Sequence, residues 1–92
     1  MITAIVSIIV QSAQIPEVAQ RIVEIDAVDQ VYSVTGDVDL IALVRVRRHE
    51  DLADVIADRI SKIVGVVDTT TNIAFKTYSS HDDAFDLGAG EI

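Results

Sequence analysis

The sequence predicts an α+β domain with the element order β-α-β-β-α-β. Three observations carry this. Four stretches rich in Val, Ile and Thr alternate or run apolar, at 2–11, 28–35, 38–47 and 66–78. Two stretches between them keep apolar residues at helical spacing. The middle pair of strands is joined through Thr35-Gly36-Asp37, where Gly accepts positive φ and Asp bonds its own backbone, the chemistry of a tight hairpin.

In the first strand, Ile2, Ala4, Val6, Ile8 and Val10 fall on one face. Thr3, Ile5, Ser7, Ile9 and Gln11 fall on the other, which is itself half apolar. Pro16 suits the first turn of a helix, where its missing N–H is no loss. Ile15, Val18, Ala19, Ile22, Val23 and Ile25 form that helix's apolar stripe, and Glu17, Gln20, Arg21 and Glu24 its wet side.

After the hairpin, Glu50 and Asp51 suit the positive start of a second helix. Its stripe is Leu52, Val55, Ile56, Ile60 and Ile63, and Gly65 ends it. The last strand carries the β-branched run Thr69-Thr70-Thr71. From Ser79 onward the pattern turns acidic and loses its period. Residues 80–92 are expected to be a mobile tail, with a short helical turn at 82–87, and 1–79 the domain.

This order is the split βαβ arrangement of ferredoxin-like domains, with a four-stranded antiparallel sheet and both helices on one face. The half-apolar opposite face is expected to meet a copy of itself, as in dimeric α/β-barrel assemblies.

Composition narrows the function classes. Ninety-two residues make one small domain, and half are hydrophobic. Cysteine is absent, which excludes disulfides and thiolate nucleophiles or metal ligands. Net charge is −8, which repels phosphate backbones and argues against direct nucleic-acid binding. The apolar N-terminus has no basic leader and is too short to span a membrane, so a soluble, cytoplasmic protein is expected.

Catalytic chemistry finds little footing. His49 lies at a helix entrance and His81 in the tail, and no Ser-His-Asp pattern accompanies them. The His81-Asp82-Asp83 cluster matches no metal-site spacing and reads as solvated charge. Glycines at 36, 65, 88 and 90 are too scattered for a phosphate loop, so neither metal nor cofactor is expected. Arg45, Arg47 and Arg48 form a small basic patch suited to pairing with Glu50 or a partner subunit.

One constellation remains. Asp37 and Asp39 sit at the hairpin mouth, and Asp68, Thr69, Thr70, Thr71 and Asn72 at the start of the last strand. Carboxylates hold an ammonium group, while hydroxyls and backbone N–H groups hold a carboxylate, so the set suits a small zwitterion. The plainer account is turn stabilisation with cross-strand Thr pairs. The residues alone leave both open.

The segment Val34-Thr35-Gly36-Asp37-Val38-Asp39-Leu40 resembles the hairpin motif of the Lrp/AsnC effector-binding (RAM) domain. That motif reads Val, Ser or Thr, Gly, two variable positions, Asp, then Tyr or Leu. Val64-Gly65-Val66-Val67-Asp68-Thr69-Thr70-Thr71 is similar to the family's approach to its last strand, with Val64 in place of the usual Pro. The resemblance covers about residues 1–79. It implies a non-enzymatic oligomer, a homodimer built through sheet faces and assembled into octamers or similar rings. It also implies an amino-acid effector bound between dimers beside the hairpin, in the service of transcription or amino-acid metabolism. By position, Gly36 would allow close approach. Asp37 and Asp39 would hold the amino group, and Thr69, Thr71 and Asn72 would meet the carboxylate or line the interface.

Family members usually carry an N-terminal helix-turn-helix domain. This chain is expected to be the stand-alone form, acting without DNA contact or by pairing with a full-length regulator. Two other readings share the topology: a cofactor-free monooxygenase-like dimeric barrel, which needs a deep cavity between helices and sheet, and an ACT-like regulatory module.

Overall fold

A computed structural model describes residues 1–80. The expectations for 82–87 and for His81-Asp82-Asp83 lie outside the described residues. Strand β1 is Ile2–Val10, helix α1 Ile15–Val23, β2 Val28–Ser33, β3 Leu40–Val46, helix α2 His49–Ala53 and β4 Val66–Ile73. A 3-10 turn, Ser12–Gln14, leads into α1, and a π-helical stretch, Asp54–Ile60, continues α2. The sheet is fully antiparallel with the order β2-β3-β1-β4, the ferredoxin-like topology the sequence predicts.

The two-residue period of β1 places its sides as expected. Ala4, Val6 and Ile8 are completely buried beneath the helices, with Leu40, Ala42 and Val44 of β3 beside them. Val18 and Ile22 of α1 and Ile60 of the π stretch close the core from above. Burying each such side chain contributes roughly 1.5–3 kcal/mol. Among the described residues, no polar or charged side chain is buried. The space between sheet and helices is filled by Ile8, Ile22, Leu40 and Ile60, none of which has measurable exposure.

Three element boundaries differ from the expectation, each for a physical reason. The second helix is not a continuous α-helix. The Ser61 N–H donates to the Ile56 carbonyl at 2.8 Å, a bond reaching five residues back. Val55 and Ile60 are both buried and five positions apart, so the widened turn returns both to the core. The last strand ends at Ile73, not at residue 78. Ala74 N–H still reaches the Thr3 carbonyl at 2.9 Å, but β1 starts at Ile2 and offers no partner beyond. The connection between β2 and β3 is a loop, 34–39, instead of a tight turn. The Val34 N–H donates to the Asp39 carbonyl at 3.1 Å and closes it.

Candidate functional site

The loop 34–39 is built from Asp39 outward. The Asp39 N–H donates to the Ile8 carbonyl at 3.0 Å. Its side-chain Oδ2 accepts from the Val10 N–H at 2.8 Å, in a partly buried position. Three hydrogen bonds thus fix Asp39 to β1 and to the end of β2. The same side-chain bond satisfies the backbone where the β1–β4 register shifts between Ile9 and Val10. One side-chain oxygen of Asp39 remains for another partner.

Gly36 has φ +115°, a conformation other residues rarely adopt. A Cβ placed there would meet nothing within 4 Å. Backbone conformation alone therefore demands the glycine within one subunit, and the space above it is open. Asp37 is exposed beside it.

The last-strand candidates divide. Thr69 pairs with Ile8 and Thr71 with Val6, so both lie on the helix side of the sheet. Asn72 pairs with Ile5 and lies on the opposite, open face. The sequence treats the hairpin mouth and β4 as neighbours, but β1 separates β3 from β4. Two strand spacings, about 10 Å, lie between them. The structure brings Gly36, Asp37 and Asp39 together and places Thr69 at the same end of the sheet. It does not bring Thr71 or Asn72 to them within one subunit.

Two features escaped the sequence reading. Val10 pairs with Val66 and Ile9 with Asp68, which leaves Val67 as the extra residue of a bulge. The polar run Asp68-Thr69-Thr70-Thr71-Asn72 that follows has no alternation from which the bulge could be read. Gly65 does more than end a helix. Its φ is +105°, its carbonyl accepts from the Gln11 N–H at 2.9 Å, and an added Cβ would stand 2.9 Å from Val18 Cγ2 and 2.6 Å from Gln14 Oε1.

Elsewhere the chemistry is sparse. His49 is exposed. Arg48 pairs with Asp51 at 3.4 Å, on the surface. Among the described residues no cluster of His, Asp and Glu is arranged to hold a metal ion. None of the helices there is long and apolar enough to cross a membrane. A groove of about 410 Å³ lined by Ala13, Gln14, Glu17, Arg21 and Val64 lies on the helix layer and includes none of the predicted site residues.

Comparison with known proteins agrees with this architecture. The chain is 35% identical over 72 residues to the uncharacterized HTH-type transcriptional regulator YugG of Bacillus subtilis (strain 168), covering 78% of this chain and 43% of that one. It is 35% identical over 75 residues to the HTH-type transcriptional regulator FL11 of Pyrococcus abyssi, covering 82% and 49%. The chain thus spans about half the length of the curated relatives it matches. Among solved structures, TTHA0845 from Thermus thermophilus superposes with a TM-score of 0.82 at 42% identity, covering 86% of this chain and 99% of that one. The feast or famine regulatory protein Rv3291c from M. tuberculosis, solved in complex with L-methionine, superposes with a TM-score of 0.73 at 30% identity, covering 89% and 56%. A family model described as the Lrp/AsnC ligand binding domain matches residues 3–84. The chain therefore belongs to the Lrp/AsnC family, with residues 3–84 matching its ligand binding domain.

Proposed function

We propose that this chain is a non-enzymatic effector-binding domain that senses a small amino acid and acts in transcriptional regulation without touching DNA itself. The observation that carries this is the loop 34–39, held rigidly by Asp39 yet open above Gly36, in a domain of this family. Asp37 and the remaining oxygen of Asp39 hold the ammonium group, and backbone N–H groups of the loop meet the carboxylate. The L-methionine complex of Rv3291c supports an amino acid as the ligand class.

One subunit does not enclose the ligand, because β1 separates the loop from Thr71 and Asn72. Residues of a second copy complete the site, so binding and assembly are linked. The open sheet face, with Ile5 and Ile9 each 37% exposed and Tyr32 47% exposed, is the surface through which copies pair. The filled core and the lack of buried polar groups among the described residues favour this reading over a monooxygenase-like barrel.

A ligand shifts assembly only if it binds one state more tightly. Light-scattering mass measured with and without each of the twenty L-amino acids tests the proposal. At least one should change the mass or its concentration dependence. An unchanged mass with all twenty, together with no thermal stabilisation, would contradict it.

A further inference from the structure

The helix layer places two cations in one groove. Arg21 stands in the last turn of α1 and Arg59 in the last turn of the π stretch. Both elements pack on the same side of the sheet through Ile22 and Ile60, and a groove of about 480 Å³ runs between their outer surfaces. Arg21 and Arg59 both line it. Among the described residues neither guanidinium forms an ion pair or a side-chain hydrogen bond. The two carboxylates of the groove are engaged by other side chains. Glu24 accepts from the Gln20 Nε2 at 3.4 Å, and Asp58 pairs with Lys62 at 3.9 Å. Like charges in one groove repel, and an anion between them removes that penalty. Ile25 and Ile63 form the apolar part of the lining, and among the described residues no aromatic side chain joins them.

We infer that this groove binds a sugar phosphate, with the phosphate held between Arg21 and Arg59. The donor forks of two guanidinium groups match the oxygens of one phosphate monoester, which is close to a dianion at neutral pH. A single carboxylate fills one fork and leaves the second cation unpaired. Glu24 and Asp58 then accept from hydroxyl groups of the sugar, since an ionised carboxylate has more acceptor sites than the one contact each makes here. This second contact selects a hydroxyl-bearing ester over inorganic phosphate. A nucleotide carries the same phosphate and hydroxyl groups, but its base gains most from an aromatic side chain to stack on, and the lining includes none. The groove shares no residue with the loop 34–39, so it stands whether or not an amino acid binds there.

Titration calorimetry of the whole chain in phosphate-free buffer tests this with glucose 6-phosphate, inorganic phosphate, glucose and adenosine monophosphate. Arg21→Gln, Arg59→Gln and, as a charge control outside the groove, Lys76→Gln are compared with the wild type, each checked for folding by circular dichroism. Both arginines are exposed, so these substitutions are expected to leave the fold intact. Glucose 6-phosphate is expected to bind saturably and at least about tenfold more tightly than inorganic phosphate, with no heat from glucose. Each arginine variant is expected to weaken that binding at least about tenfold, and Lys76→Gln by less than about twofold. Equal affinities for glucose 6-phosphate and inorganic phosphate would overturn the sugar contact. Tighter binding of adenosine monophosphate would overturn the choice of a sugar over a nucleotide. No saturable heat with any phosphate, or equal weakening by Lys76→Gln, would overturn the site itself.

Discussion

At the scale of single residues, the two aspartates of the loop have different work. Asp39 is partly buried and bonded to the Val10 N–H, while Asp37 is exposed. Asp39→Ala leaves that N–H without its protein acceptor and is expected to cost about 1–3 kcal/mol of stability in denaturant unfolding. Asp37→Ala is expected to unfold within about 0.5 kcal/mol of wild type. The two positive-φ glycines separate in the same way. Gly36→Ala meets only backbone strain, about 1–2 kcal/mol. Gly65→Ala adds a close approach to Val18 and Gln14 and is expected to cost more than Gly36→Ala in the same experiment.

At the scale of elements, the register of β1 decides most of the architecture. Its alternation makes the helix side and the open side legible from sequence, and so are the helix stripes, except that Val23, expected on the stripe of α1, is 42% exposed. Three things were not legible. Asp39 accepts a backbone N–H from a strand far away in sequence, a contact no local pattern encodes. The π stretch follows from where Val55 and Ile60 must lie against the sheet, which helical spacing alone does not reveal. The split of Thr69 and Thr71 from Asn72 follows from the period-two rule, yet the distance of β4 from the loop depends on strand order. Ile60→Ala removes a completely buried side chain under the π turn and is expected to destabilise by about 2–5 kcal/mol in denaturant unfolding. In hydrogen exchange, the amides of β1 and β3, paired on both sides, should be protected longer than those of the edge strands β2 and β4.

At the scale of the whole molecule, the described residues hold their own core and leave one face of the sheet open, with Ile5 and Ile9 on it. Among the described residues, Ile8, Ile22, Leu40 and Ile60 fill the space between sheet and helices, and the loop 34–39 lies at the end of the sheet with Gly36 open above it. Ligand binding and self-association are therefore coupled in this account, and the amino-acid site belongs to the assembly more than to one chain. Titration calorimetry of the wild type and of Asp37→Ala against the twenty L-amino acids tests that account most directly. The account predicts a saturable heat with at least one amino acid, lost in Asp37→Ala while its melting temperature stays at the wild-type value. No heat with any amino acid, or an equal heat in Asp37→Ala, would contradict it.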